Sequence, residues 1–249
     1  MGDRIGRMAP SGWHTRERGI IDPSSLSSPL GVSDGVICLV RDFYDAAVSL
    51  HGLGNAPETP AFNGSKAGRM AEGYALVLSS IGAPSLSMVL EEMIAGGVTR
   101  VLVLGIAGSI TKECVIGDIV VPTWGIREEG TSHHYLPSDQ EVAPSPGMLL
   151  SARSALAGLS FREGGVWSID APYRETRDKM EAYAAGGAVV VEMECTAAMA
   201  IAKYRGTELA CILAVSDELA GESWKMGFDA PELAGGISAI CGRMPAIFR

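Results

Sequence analysis

Short apolar runs rich in β-branched residues alternate with helical segments from residue 36 onward, and this alternation limits the chain to few folds. Runs such as VICLV at 36–40 and YALVLSS at 74–80 predict buried strands. Residues 99–109 predict a strand followed by a glycine turn. The other predicted strands are 118–126, 166–170, 189–194 and 210–217, and the predicted helices are 41–52, 84–95, 176–185, 195–205 and 230–242. Strands joined by helices predict a largely parallel sheet with helices on both faces, an α/β fold.

The composition changes near residue 35. Residues 1–35 are rich in Ser, Pro and Gly, which predicts an N-terminal arm or an irregular surface segment. Residues 36–249 contain neither a long linker nor an internal repeat, so we expect them to form a single domain. Within it, the segments 54–70 and 128–146 are polar and predict long loops, which are often functional in a compact domain.

The acidic charge balance narrows the range of partners. The formal net charge is −9 at pH 7, whereas a protein that binds DNA or RNA normally presents a basic face. We therefore expect no nucleic-acid polymer as partner, although a small nucleoside remains possible. No apolar run approaches the roughly 20 residues of a membrane helix, and the N-terminus lacks the apolar stretch of a secretory signal.

The five cysteines point to a reducing compartment. Their number is odd and none forms a CxxC pair, which argues against a disulfide framework and favours the cytoplasm. The neighbouring residues His133 and His134 are the strongest hint of a metal ligand, but no other His, Cys or acidic cluster has ligand spacing. We therefore predict no metal site.

Glu192-Met193-Glu194 follows an apolar strand and offers a sugar-binding site. The Glu194 carboxylate has two acceptor oxygens and no donor, so it can accept hydrogen bonds from both hydroxyls of a vicinal diol. Met193 offers a soft apolar surface for the ring. The competing interpretation is a helix start with acids near its positive end, and the residues alone favour it slightly.

Ser216-Asp217-Glu218 follows the apolar run CILAV. A partly desolvated carboxylate at a strand end can have a raised pKa and act as a general acid, for example by protonating the ring nitrogen of a leaving purine. The alternative is a helix N-cap, because Ser and Asp are favoured there. The residues alone do not separate these two interpretations.

Two glycine turns follow strands. Gly105 to Ser109 and Gly82 to Ser85 would let the backbone approach a ligand, and the second could present helix N–H groups to an anion. Neither matches a dinucleotide-binding or P-loop pattern, so each is also consistent with a plain strand-to-helix turn.

The stretch VWSIDAPYRET surrounds an acid with aromatic and basic groups. Trp167, Tyr173 and Arg174 lie near Asp170, and such groups at a strand end can stack on a heterocycle and hydrogen-bond to it. An amphipathic rim without a ligand is the alternative.

Five stretches, taken in order, resemble the nucleoside phosphorylase and nucleosidase superfamily, which includes uridine phosphorylases, hexameric purine nucleoside phosphorylases and methylthioadenosine/adenosylhomocysteine nucleosidases. They are SSIGAPSLSMVLEEMIAGGVTRVLVLGIAGSI, IGDIVVPTWGIREEGTSHHYLP, SIDAPYRET, VVVEMECTAAMAIAKYRG and LAVSDEL. Single motifs of this kind are weak, but their order over about residues 74–219 is specific. SDEL is similar to the purine and nucleosidase side of the family, and REEGTSHHYLP to the uridine phosphorylase side.

The resemblance implies a three-layer α/β/α sandwich whose central mixed sheet is partly barrel-like. It also implies homodimers, or hexamers built as trimers of dimers, and neither a metal nor an organic cofactor. The implied reaction is cleavage of a nucleoside by phosphate, a co-substrate, to free base and ribose 1-phosphate. Hydrolysis by water is the first alternative, and nucleoside binding without catalysis is the second.

The resemblance also implies residue roles. Glu194 would bind the ribose 2′- and 3′-hydroxyls with Met193 beneath the ring and Glu192 nearby, and Asp217 would act at the base. The implied base pocket consists of Ala107, Gly108, Ser168, Asp170, Tyr173 and Arg174, and the possible anion or turn residues are Gly82, Ser85, Gly105 and Ser109. Pro172 stands where the family usually has an aromatic residue, so base stacking must come from elsewhere.

The sequence departs from the phosphorylase pattern where phosphate would bind. Val40, Tyr44, Val103 and Ile106 fall at the positions of the usual glycine, two arginines and Thr or Ser. Nucleosidases instead use a carboxylate to activate water, and Asp45 falls near that position.

Other residues remain possible at the acceptor site. Arg41, Lys66 and Arg69 offer another way to build an anion site, and His14 in the arm is a possible ribose contact for a neighbouring subunit.

Overall fold

The computed structural model describes residues 19–249, so His14 lies outside the described residues. The strands are β1 Asp34–Cys38, β2 Ser65–Met70, β3 Tyr74–Ser79, β4 Arg100–Ser109, β5 Ile119–Glu128, β6 Arg162–Ile169, β7 Ala188–Glu192, β8 Glu208–Glu218 and β9 Lys225–Met226. The α-helices are α1 Arg41–Leu50, α2 Ala83–Ala95, α3 Pro146–Ala155, α4 Arg177–Ala185, α5 Cys195–Arg205 and α6 Pro231–Arg243. The predicted α/β class is confirmed.

The strands form one mixed sheet that closes on itself over part of its width. The order is β2-β3-β1-β4-β7-β6-β5-β8-β9, and β4 also pairs with β8. That second pairing joins β4, β7, β6, β5 and β8 into a closed ring, which matches the expected barrel-like form. Closure removes open edges from these five strands.

Alternating strand residues supply two apolar cores on the two faces of the sheet. In β4, Val101 and Val103 pack with α2 and α5, whereas Leu102 and Leu104 pack with α1, α3 and α6. This follows from the two-residue period of a strand, which sends neighbouring side chains to opposite faces. Both faces are therefore covered by helices, as a largely buried sheet requires.

Three predictions about elements need correction. Residues 54–70 are not one loop, because β2 pairs antiparallel with β3 within them. The helix α3 was not predicted; Pro146 stands in its first turn, where its missing N–H costs no hydrogen bond. The strand predicted over 189–194 ends at Glu192, and Glu194 is already the N-cap residue of α5.

The turn between β4 and β5 packs backbone to backbone against α6. Gly117 has a φ of +90°, and a Cβ atom there would lie 2.6 Å from the carbonyl oxygen of Glu232. Only glycine fits both the conformation and the contact. No helix of residues 19–249 has the length and apolarity needed to span a bilayer.

Replacing Gly117 with alanine should destabilise the protein strongly. We expect Gly117→Ala to lower the free energy of unfolding by at least about 2 kcal/mol, because backbone strain and a steric clash add. Gly31→Ala is the matched control, since Gly31 has a φ of +71° but no atom within 4 Å of the added Cβ. It should lose only about 1 kcal/mol in urea unfolding. Equal losses would show that the contact with α6 adds nothing.

Candidate active site

The carboxyl ends of four strands surround a cavity of about 560 Å³. The ends of β1, β4, β7 and β8 meet there, and the segment from Pro172 to Met180 closes one side. Its lining residues are Leu39, Val40, Ile81, Ile106, Ala107, Gly108, Pro172, Tyr173, Glu175, Thr176, Arg177, Met180, Val191, Glu192, Met193, Glu194, Ser216, Asp217, Leu219, Trp224 and Phe228. This is the edge where ligands bind in α/β sheets.

Glu192 anchors the wall of the cavity through its hydrogen bonds. Ser168 Oγ, on the neighbouring position of β6, donates to one carboxylate oxygen. The backbone N–H groups of Glu194 and Cys195 donate to the other at 2.7 and 2.8 Å. Ser168 Oγ also accepts from the N–H of Thr196 at 3.0 Å. Glu192 therefore fixes the start of α5 instead of presenting free acceptor oxygens to a sugar.

The side chain of Glu194 lines the cavity and accepts a hydrogen bond at the N-terminus of α2. The N–H of Gly82, the N-cap residue of α2, donates to Glu194 Oε1 at 2.5 Å. The helix N-terminus that the sequence offered to an external anion thus holds a carboxylate of the protein itself. Gly82 has a φ of +96°, a conformation that glycine adopts without strain.

Two buried carboxylates so close together perturb each other. Burial and the charge of Glu192 raise the pKa of Glu194 to about 8, against the opposing effect of the Gly82 and Met193 N–H groups. Burial also raises the pKa of Glu192, but three donors stabilise its charged form. The three donors to Glu192 therefore favour Glu194 as the residue of this pair that holds a proton.

Asp217 lies at the opposite end of the cavity with both carboxylate oxygens hydrogen-bonded. Ser216 Oγ donates to Oδ1 at 2.7 Å, and the indole N–H of Trp224 donates to Oδ2 at 2.7 Å. Gly108 lies beside Asp217 in the β4–β8 register, and a Cβ there would come within 3.0 Å of Oδ2. The predicted glycine is thus needed to make room for the acid.

Of two further charged lining residues, Glu175 was not predicted, whereas the resemblance offers Arg177 as a possible contact to the base. Glu175 is half-buried beside the cavity, and burial together with the charge of Asp217 raises its pKa to about 7. Arg177, in the first turn of α4, lines the same side and donates to the carbonyl oxygen of Gly221 at 3.0 Å. A polar residue at the start of a helix gives no sequence signal that separates a cavity wall from ordinary surface.

Exposed aromatic rings surround the mouth of the cavity near Asp217. Tyr173 is 99% exposed, while Trp224 and Phe228 are about half exposed. The rings of Trp224 and Phe228 meet edge to face, with 6.2 Å between their centroids. These rings supply the stacking surface that Pro172 does not. Trp224 and Phe228 lie beyond the matched motifs, so sequence reasoning missed them.

The other end of the cavity is apolar. Leu39, Val40, Ile81 and Ile106 form its wall, and two of these residues occupy positions where phosphorylases hold phosphate. Tyr44 and Val103, at the two arginine positions, are buried in the two apolar cores.

The basic residues suggested as an alternative anion site lie outside the lining of the cavity. Arg41 pairs with Asp45 and Arg69 with Glu58, and neither these arginines nor Lys66 is among the lining residues.

Several predicted site residues do not line the cavity. Asp45 is exposed on α1, lies 3.7 Å from Arg41 and is not among the lining residues. Asp170 accepts from the N–H of Gly130 at 2.7 Å, and Arg174 is exposed. Ser168 does not line the cavity but donates a hydrogen bond to Glu192, which does.

Among the turn residues, Gly82 donates a hydrogen bond to a lining carboxyl group. Gly105 lies inside β4, where a Cβ would come within 2.8 Å of Leu39. Ser109 Oγ donates to the carbonyl oxygen of Thr111 at 2.7 Å, and Ser85 stands in the first turn of α2. Within residues 19–249, no three His, Cys, Asp or Glu side chains are grouped so that they could hold a metal ion.

The fold and this cavity at the strand ends place the chain in a known family. The sequence model of the phosphorylase superfamily matches residues 35–234, which is most of the chain. The protein therefore belongs to the phosphorylase superfamily, and the resemblance drawn from the five stretches is confirmed at that level.

Solved structures of three enzymes have the same fold. Uridine phosphorylase from Vibrio fischeri, in complex with 6-hydroxy-1-naphthoic acid, is 23% identical; the match covers 90% of this chain and 98% of that one, with a TM-score of 0.75. Futalosine hydrolase of Helicobacter pylori is 20% identical, with coverage of 87% and 97% and a TM-score of 0.70. AMP nucleosidase from Bacteroides thetaiotaomicron is 22% identical, with coverage of 84% and 86% and a TM-score of 0.67.

The raised pKa of Glu194 predicts that this side chain costs stability at alkaline pH. Unfolded, the carboxyl loses its proton near 4.5; folded, it keeps the proton until about pH 8. Between these values the unfolded state binds fewer protons, so stability falls as pH rises. Urea unfolding of Glu194→Gln should show a gain over wild type that is at least about 1 kcal/mol larger at pH 8 than at pH 5.

The exposed Glu72 provides the control for this experiment. Glu72→Gln should differ from wild type by the same small amount at both pH values, because its side chain is solvated. A Glu194→Gln gain that does not grow with pH would contradict the assignment of the proton to Glu194.

Proposed function

We propose that this protein hydrolyses the N-glycosidic bond of a nucleoside, releasing free base and ribose with water as the acceptor. The observation that carries this proposal is the excess of acidic over basic side chains in the cavity. Four acidic residues line it, Glu175, Glu192, Glu194 and Asp217, but Arg177 is its one Lys or Arg side chain among the described residues.

Phosphate is poorly suited to such a cavity. A buried anion needs several charge-assisted donors, each worth about 1.5–3 kcal/mol, and it is repelled by neighbouring carboxylates. The apolar wall of Leu39, Val40 and Ile106 offers no side-chain donor, and the N–H of Gly82 is already bonded to Glu194. Water is neutral and small, so it requires no compensating cations there.

Glu194 and Met193 suit a ribose in the middle of the cavity. The two hydroxyls of a diol are donors, so their binding favours the ionised form of Glu194 and releases its proton. Met193 contributes an apolar surface beneath the sugar ring. Gly82 keeps the carboxylate in place through its N–H, which reduces the entropy lost on binding.

The Asp217 end suits a base. Trp224 and Phe228 offer faces for stacking, and Asp217 is held by Ser216 and Trp224 where it can accept a hydrogen bond from a ring or exocyclic N–H. As the glycosidic bond stretches, the ribosyl group gains positive charge, which the surrounding carboxylates stabilise. Water then attacks the anomeric carbon from the apolar side.

The same proposal includes the setting of the enzyme. We expect it to act in the cytoplasm, as a homodimer or as a hexamer built from three dimers, with a small nucleoside as its partner and without metal or organic cofactor.

Liquid chromatography of reactions with a nucleoside panel, run with and without phosphate, tests the acceptor. We expect base release that is indifferent to phosphate and yields free ribose. Asp217→Asn should slow release at least about 10-fold, because it alters the group that faces the base. Asp139→Asn changes an exposed loop acid and serves as the matched control. Release that requires phosphate and yields ribose 1-phosphate would establish phosphorolysis, and binding without release would establish a nucleoside-binding protein.

A further inference from the structure

The four carboxylates that line the cavity differ in their hydrogen bonding. Glu192 accepts three hydrogen bonds, Glu194 accepts the N–H of Gly82, and Asp217 accepts two. The side chain of Glu175 has no hydrogen-bond or ion-pair partner within residues 19–249. A half-buried carboxyl of this kind is partly desolvated, and a ligand in the cavity can supply a partner for it.

The location of Glu175 fits a role at the base. It stands between the 3₁₀ turn Pro172–Arg174 and the first turn of α4, on the same side of the cavity as the exposed ring of Tyr173. The negative charge of Asp217 on β8 acts on the Glu175 carboxyl and raises its pKa. The two acids therefore line the same cavity within electrostatic reach of each other.

The two acids differ in their hydrogen bonds. Both oxygens of Asp217 already accept hydrogen bonds from O–H and N–H donors of the protein. Glu175 has no such donor, and burial and the negative charge of Asp217 both disfavour its ionisation. The remaining charged groups of the lining are Arg177 on α4, Glu192 at the end of β7 and Glu194 before α5.

We propose that Glu175, and not Asp217, is the general acid that protonates the leaving base, while Asp217 orients the base. This inference rests on the proposed function, because it assigns the proton source of that same reaction. It also replaces the role expected for Asp217 from sequence, since both Asp217 oxygens are already held by donors of the protein, whereas the carboxyl of Glu175 lines the cavity without one.

The proton balance of the step is complete without another reactant. The carboxyl proton of Glu175 moves to a ring nitrogen of the base as the bond between that base and C1′ breaks. Water adds to C1′ and gives up one proton, which returns the Glu175 carboxylate to its acid form through solvent. Substrate and water are consumed, and free base and ribose are formed.

A substrate whose leaving group needs no proton separates this role from a structural one. We would compare wild type and Glu175→Gln on the nucleoside cleaved fastest and on 4-nitrophenyl riboside, whose phenolate leaves unprotonated. The variant should lose at least about 100-fold in kcat on the nucleoside and stay within a few-fold of wild type on the phenyl riboside. Glu72→Gln, on the exposed turn before β3, is the matched control.

The pH profile gives a second readout that leaves Glu175 intact. Activity on the nucleoside should fall as pH rises through about 7, where Glu175 loses its proton. In Asp217→Asn this alkaline limb should move to lower pH, because removing a negative neighbour lowers the pKa of Glu175. Equal losses of Glu175→Gln on both substrates, or an unmoved limb in Asp217→Asn, would overturn the proposal.

Direct titration separates a failure of this proposal from a failure of the proposed function. Carbon-13 NMR of the glutamate carboxyls, with the Glu175→Gln spectrum for assignment, follows Glu175 without any turnover. A midpoint near 7 that falls in Asp217→Asn supports the proton assignment even if no nucleoside in the panel is cleaved. A midpoint near 4.5, the ordinary value of a glutamate, refutes it even if nucleosides are cleaved.

Discussion

The hydrogen bonds of the Glu192 carboxylate hold together the parts on which the site depends. They tie Ser168 of β6 to the end of β7 and to the first N–H groups of α5. Burying a carboxylate is costly, and the cost is offset only when its oxygens are saturated with donors. Because Glu194 is the N-cap residue of α5, the same bonds determine where Glu194 enters the cavity and how closely it approaches Gly82.

This arrangement concentrates acidic side chains in a cavity that has an apolar wall. Burial and the neighbouring acids raise the pKa values of Glu194 and Glu175. A reaction that builds positive charge on a ribosyl group gains from such an environment, because preorganised carboxylates stabilise that charge as it develops. An anionic co-substrate would lose from it. The excess of acidic side chains therefore favours a neutral acceptor over an anionic one, and it also favours a ribosyl group that becomes positively charged.

Much of the fold could be predicted from local pattern. The helix predicted over 195–205 coincides with α5, and the strand predicted over 74–80 differs from β3 by one residue. Such elements follow from periodicity and from glycine or proline at their ends. The strand β2 could not be found in this way, because its residues SKAGRM are polar and only partly buried. Its conformation depends on pairing with β3, a tertiary contact.

Site residues could be predicted where a motif follows an apolar strand. They could not be predicted where the position of a side chain depends on how helices and strands pack. Met193, Glu194 and Asp217 all line the cavity, as their positions after apolar runs suggested. Asp45 does not, because the direction of a side chain on α1 depends on how the helix packs, which a loose alignment does not determine.

Glu175 lines the cavity although the sequence did not predict it as a site residue. Nothing in its local sequence distinguishes it from a solvated acid at a helix start, yet the turn at Pro172–Arg174 brings it against the cavity near Asp217. Its chemical character comes from burial and from a charge more than forty positions away in the chain, Asp217. Perturbed acids of this type are created by the folded structure, so a motif can reveal the sugar-binding residues of a site and still leave its proton donor unidentified.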